Sequence, residues 1–530
     1  MLGTIAVRLD RRSFGEASLL LRWRGVRSIT CAAALLAALV GLTACGVKST
    51  SSSTPIEQPP GAPGSDTTTP ILVTLTDDTS ANGLVSFYAN ISQVQITPRD
   101  GTVSTLYASA NTQELTHLAG SAQYLTFTGL PQDTYKNILV SVTDPLITYI
   151  DNTGATQVLE FASYTGTAEI DFTDLLTVDT TPLAIKLDFD LEKSVVLDPA
   201  TGALTLTPSF TATALPIAAS APTIDTGLIE TVLGTVSGYT SSTLTVNTNV
   251  AQTNLSCNIT SATTTVNYSA SAGLPKGALV RLDLAAQRDS SIACARIEAV
   301  NASNVGYAFA GTINSYRGLL SPYQFTLAMQ EGSGAGVSPT FIGRGINVNF
   351  DATTAVPAAT FAIDWDGMDQ TNLGFTPLFS AASFFPGQYV EASSAVPLLS
   401  SGNDVGKIPG SMTTVAAMNA AQVTLRKQEE EGTVSNVSTN TNNVTTFTLT
   451  LPASSVFAQY TALPVEPTGF VPTVTVVVPA SVAINGSLTA TLAGAPTASL
   501  PYVKVRGLLF LTGTTYTLVA QRVTATLPPS

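Results

Sequence analysis

Leu183-Ala184-Ile185-Lys186-Leu187-Asp188-Phe189-Asp190-Leu191 decides the fold class. Leu183, Ile185, Leu187, Phe189 and Leu191 alternate with small or polar residues, the two-residue period of a strand with one face in a core. The other face then carries Lys186, Asp188 and Asp190. The same period recurs upstream. Ile71 to Thr76 reads as a strand ended by Asp77-Asp78. Val85, Phe87, Ala89 and Ile91 alternate, and Val94 and Ile96 continue after a phase slip that predicts a bulge. Ala122 to Phe127 and Tyr135 to Val142 are further strands, and Asp151-Asn152-Thr153-Gly154 is a hairpin turn. One β domain is expected over 71–213.

At 530 residues the chain exceeds a single core and should divide into about three or four domains. Charged residues make up only 11%, while 30 Pro and 39 Gly punctuate Thr- and Val-rich stretches. No long segment has a 3.6-residue period, so the expected class is all-β. The formal charge is −13, and the residues after position 44 carry 17 basic and 34 acidic side chains. Such a surface repels phosphate backbones and anionic headgroups, which argues against nucleic acid as a partner and against membrane binding through a basic patch.

The N-terminus has its own signature. Arg22, Arg24 and Arg27 precede an apolar run from Ile29 to Leu42, shorter than the roughly 20 residues that span a bilayer. A basic flank, a short apolar run and small residues before a cut mark a secretory signal over 1–44. Leu42-Thr43-Ala44-Cys45 resembles a bacterial lipobox, in which the Cys is diacylated and becomes the first mature residue. Residues 45–70 are Ser/Thr/Pro-rich and read as a flexible tether. Gly46 after the Cys implies, by the same resemblance, sorting to the outer membrane. Besides Cys31 and Cys45, the chain has Cys257 and Cys294. In an oxidising compartment these two can pair as a disulfide; two buried thiols are the alternative.

Four stretches of the first domain carry a family resemblance: LTDDTS (75–80), ISQVQI (91–96), LTFTGLPQDTYKNILVSV (125–142) and LDFDLEKSVVLDPATGALTLTPSF (187–210). They resemble the domain of unknown function 4382, which implies a sandwich-like envelope domain and no activity. Beyond residue 230 the chain repeats itself. Gly234-Thr235-Val236-Ser237, Gly311-Thr312-Ile313-Asn314 and Gly432-Thr433-Val434-Ser435 open three units. Ala295-Arg296-Ile297-Glu298-Ala299, Ala421-Gln422-Val423-Thr424-Leu425 and Gln521-Arg522-Val523-Thr524-Ala525 close them. Between lie the strand entries Gly277-Ala278-Leu279-Val280, Gly387-Gln388-Tyr389-Val390 and Pro501-Tyr502-Val503. The unit resembles the domain of unknown function 5666. Three small OB-like β-barrel modules are expected, at 230–300, 306–428 (with an insertion) and 430–528. Glu429-Glu430-Glu431 reads as a solvated boundary between the last two.

Candidate chemistry is sparse. His117 is the only His and has no nucleophile elbow nearby, so it reads as structural. Asp188 and Asp190 share a strand face about 6–7 Å apart, a spacing that suits an acid pair or a metal, though alternating acids on a solvent face are ordinary. Asp364-Trp365-Asp366-Gly367-Met368-Asp369 is the metal candidate: alternating oxygen ligands beside a Gly turn suit calcium. The twelfth position of that loop is Phe375 where an EF-hand needs Glu. No phosphate loop, dinucleotide fingerprint or zinc motif occurs. The reading is a lipid-anchored, non-enzymatic cell-envelope protein whose role is structural or lies in binding an envelope polysaccharide or protein. The alternatives are a carbohydrate-binding or carbohydrate-processing lipoprotein, which needs Tyr124, Tyr135, Tyr164 or Trp365 clustered in one plane, and a calcium-stabilised adhesin.

Overall fold

The computed structural model describes residues 67–526, apart from 78–82, 152, 199–200, 202, 249–253, 302–305, 317–322, 335, 352–357, 397, 401–411, 462–471, 483 and 486–501. The expected leader (1–44), Cys45 and nearly all of the tether lie outside these residues. Ordered strand begins at Thr68, slightly earlier than the tether was expected to end.

The first domain is a two-sheet sandwich. One sheet runs in the order Phe210–Pro216, Leu183–Phe189, Thr68–Asp77, Gln123–Pro131. The other places Ser104–Glu114 beside Leu84–Pro98, which pairs with the long strand Thr134–Ile150. Two shorter strands, Thr156–Glu160 and Thr165–Thr177, share the far edge of that long strand. Ile71, Val73, Leu75, Ile185, Leu187 and Phe189 meet Phe87, Ile91, Val94, Ile138 and Val140 in the core. The phase slip in Leu84–Pro98 is real, with the register shifting between Ile91 and Gln93.

The strand expected over 183–191 ends at Phe189. Asp190 turns the chain and caps a short helix, Leu191–Ser194, by accepting from the Lys193 amide. Nor does the outer face of this sheet meet only solvent. Leu72 and Ala184 pack into the core of the next module, so Thr68–Asp77 is buried on both sides. That explains its unbroken Ile-Leu-Val run, which pairs in parallel with Leu183–Phe189.

The three repeats share one strand order, and the first and third close into barrels. In the first, Leu228–Tyr239 pairs with Thr243–Asn247 and with Leu279–Ala286. Asn254–Asn258 follows on one side and Ile292–Asn301 on the other, and these two meet in parallel at Asn258 and Ala293. The ring is a closed five-stranded barrel, with the short strand Thr264–Val266 laid against its closing strand. The third repeat closes the same way, from Gln428–Thr439 through Thr445–Thr450, Thr473–Val478, Thr515–Thr526 and Tyr502–Thr512. This connectivity is that of a small OB-like barrel.

The middle repeat departs from the expected closed barrel. Its strands Tyr307–Tyr316, Gln324–Gly334, Gly345–Asn349 and Tyr389–Ser394 keep the order, but the closing strand is broken in two. Thr414–Asn419 pairs with Gly345–Asn349, and Gln422–Leu425 pairs with Tyr389–Ser394. At the break the Ala420 amide donates to Asn349 and the Ala421 amide to Ser393, so adjacent residues serve opposite sides of the gap. The insertion fills this module with rings: Phe350, Phe361, Phe379 and Phe384 pack edge to face.

Candidate functional site

The charged residues that the strands bury converge where the modules meet. Arg281, on the central strand of the first barrel, bonds Glu391 at 2.6 Å and Glu331 at 3.1 Å, both on the middle module. Arg426 bonds the other oxygen of Glu391 at 2.7 Å and reaches Glu298 of the first barrel at 2.9 Å. Arg426 also meets Asp364 at 3.1 Å, and Arg296 meets Glu298 at 3.0 Å and Asp366 at 3.1 Å. Arg281, Glu391 and Arg426 are each at most 3% exposed. Burial pushes the Glu391 carboxyl up, but Arg426 and Arg281 more than reverse this and hold it below its ordinary value. Asp364 is held well below the carboxylate range in the same way, by Arg426, Lys427 and Arg296 against burial.

His117 joins the first domain to this network. Its Nδ1 lies 2.7 Å from Glu114 and its Nε2 lies 3.8 Å from Glu331. Burial pushes the imidazole down, and Glu331 with Glu114 more than reverses it, leaving it above its ordinary value. Glu114 is itself enclosed and accepts from Ser86 Oγ, the Phe87 amide and Thr116 Oγ1. Both nitrogens of His117 therefore face carboxylates. That geometry suits an imidazolium clamp rather than a base activating a hydroxyl.

Beside His117 a cavity of about 100 Å³ opens between the first domain and the second and third repeats. It is lined by Thr116, Gln330, Tyr389, Lys427, Arg506 and the run Glu429-Glu430-Glu431, among others. This corrects the expected solvated boundary. The three Glu belong to the opening strand of the last barrel, and Glu430 and Glu431 are each only 7% exposed. Burial pushes the Glu429 carboxyl up to about 7 despite Arg522 and Arg506. It pushes Glu430 up to about 8, with only the Gln428 amide opposing.

The other expected sites fare differently. Cys257 and Cys294 are joined by a disulfide, next to the point where the first barrel closes. The acid pair does not hold: Asp188 accepts from Thr76 Oγ1 within the sheet, whereas Asp190 caps a helix and binds Lys193. The calcium loop does not hold either. Asp364 and Asp366 are taken up by Arg296 and Arg426, and Asp369 accepts from Thr371 and Ser481. Among the described residues no three acidic, His or Cys side chains converge as metal ligands. The aromatic platform is dispersed. Tyr135 is in the first core, Tyr124 packs on the first barrel, Tyr164 meets Phe161, and Trp365 stacks on Phe510.

Residues 68–208 match the family model described as domain of unknown function (DUF4382). That stretch is a DUF4382 domain. In this chain the DUF4382 domain supplies His117 and Glu114 to the joint, and its outer sheet face is the seat of the first barrel. No curated protein matches the sequence. Among solved structures the chain is similar to a deletion variant of the single-stranded DNA-binding protein from Thermus aquaticus. The TM-score is 0.15 at 11% identity, over 42% of this chain and 95% of that one, too distant to bear on a ligand.

Sequence reasoning passed over Arg281, Glu331, Glu391 and Arg426. Arg281 and Glu391 sit at polar positions of alternating strands and read as solvent-facing; Glu331 falls on the apolar period of Phe325, Leu327 and Met329, and Arg426 lies just past the end of Gln422–Leu425. The available signal was scarcity: with 11% charged residues, a charge inside a strand such as Val280-Arg281-Leu282 or Val390-Glu391-Ala392 is an exception to be explained.

Proposed function

We propose that the protein is an exported, lipid-anchored component of a bacterial cell envelope that acts by binding or scaffolding rather than by catalysis. The observation that carries this reading is Leu42-Thr43-Ala44-Cys45 after a short apolar run, followed by a Ser/Thr/Pro-rich tether. Among the described residues no helix is long and apolar enough to cross a membrane. The disulfide accords with an oxidising compartment. The repeats are read as modules of the domain of unknown function 5666 type, supported by their OB-like connectivity. Their partner is an envelope polysaccharide or protein, and the outer membrane is the proposed location. An acidic surface leaves nucleic acid outside the proposal.

Fractionation tests the anchor. Wild-type protein is expected in the membrane fraction, and Cys45→Ser in the soluble fraction with unchanged folding. Cys45→Ser protein that stayed with the membrane would overturn the lipid reading.

A further inference from the structure

Among the described residues Glu430 has no counter-charge in the joint. Its Oε1 accepts from Gln428 Nε2 at 2.7 Å, and Gln428 is itself held by the Tyr389 amide and Gly387 oxygen. The nearby cations are committed elsewhere. Lys427 lies 3.9 Å from Asp364, His117 sits between Glu114 and Glu331, and Arg506 donates to Ala119 O. Arg506 and Arg522 act on Glu429. Across the same cavity stands Gln330, 95% buried by its 5% exposure. Its Nε2 donates to Val85 O and Thr116 Oγ1, which leaves its Oε1 as an acceptor without a partner.

A buried carboxyl without a counter-charge is neutralised by a proton or by a bound cation. The surroundings favour the cation. The cavity, at about 100 Å³, has room for an ion with several waters. The groups that face it with free acceptor capacity are oxygens, as a hard cation requires. Calcium tolerates irregular geometry and completes its shell with water, whereas magnesium demands a near-ideal octahedron. We propose that the Glu430 carboxylate and Gln330 Oε1 hold a calcium-class divalent cation in this cavity, completed by water. The ion ties the middle module to the last barrel, beside the clamp that Gln330 already forms on the first domain. With few charged ligands, its affinity belongs to the weak class, roughly 0.1–1 mM.

The test is thermal unfolding of the full chain, stripped with chelator and titrated with calcium chloride above about pH 8, where Glu430 is ionised. The melting temperature is expected to rise and to saturate near roughly 1 mM. Glu430→Gln, which keeps the bond to Gln428 and removes the charge, should fold and lose the rise. Asp369→Asn should retain it. As a second measurement, calcium added to unbuffered wild-type protein near neutral pH should release a proton. A wild-type melting temperature that calcium does not move, or an equal rise in Glu430→Gln, would overturn the site.

Discussion

The opening glycine of each repeat answers to a contact rather than to a turn. A Cβ on Gly311 would stand 1.9 Å from Ala328 O, and one on Gly432 would stand 2.1 Å from Thr450 O. On Gly234 it would meet Asn247 O at 3.1 Å. The strand bends over its neighbour at this position, and only hydrogen leaves room for the neighbour's carbonyl. Gly311→Ala and Gly432→Ala should each cost about 1–3 kcal/mol in urea unfolding, with a smaller loss for Gly234→Ala. Equal costs at all three would mean that close approach is not what the glycine serves. The glycines were legible as repeat markers because they recur at matched places. The buried charges were not. Arg281 and Glu391 stand at the same place of two repeats, directly after the matched Val280 and Val390, yet carry opposite signs because one docks on the other. A repeat read from the sequence displays what its units share. The contact between units lives in what they do not share.

Among elements, the closing seam distinguishes the modules. The third barrel is closed by three parallel pairs, from Thr475 with Thr517 to Val477 with Val519. The first closes at a single pair, Asn258 with Ala293, and there Cys257 and Cys294 are bonded. The disulfide does at this seam what strand pairing does in the other. Its loop spans 37 residues, so its loss should remove about 3–4 kcal/mol by the loop-entropy model. Reductant should lower the unfolding midpoint and speed amide exchange in Asn254–Asn258 while leaving Thr473–Val478 protected. A midpoint indifferent to reductant would show that the seam holds without the bond. Strand existence was legible here from alternation; closure was not, since nothing in Gln422–Leu425 announces that Ala420 and Ala421 break its strand. The end of Leu183–Phe189 was hidden for a similar reason. Asp190 fits both an alternating strand and a helix cap, and tertiary packing chose the cap.

At the scale of the whole molecule, the two closed barrels turn the same cationic face to their neighbours. The first offers Arg281 and Arg296 to acids of the middle module, and the last offers Arg506 and Arg522 to the Ala119 and Gly120 carbonyls of the DUF4382 domain. Stability should therefore follow the protonation of the joints. Glu429, Glu430 and Asp283 have folded pKa values of about 7, 8 and 6, above the roughly 4 of free carboxylates. Between those limits the folded chain holds more protons than the unfolded chain, so stability falls as pH rises. His117, also raised, adds to the fall as pH passes its folded value. Glu331, Glu391 and Asp364 are shifted down, and their contribution is lost on further acidification below the ordinary carboxylate range. Lys504, pushed down to about 8, acts only above this window. In chelator, the melting temperature should peak on the acid side of neutrality, near about pH 5, and decline toward pH 8. The double change Glu429→Gln with Glu430→Gln should flatten that decline and leave the acid limb in place, because the acid limb belongs to the other joint. A melting temperature that climbed steadily from pH 5 to 8 would mean that the salt-bridged acids, and not the buried Glu run, govern how the modules hold together.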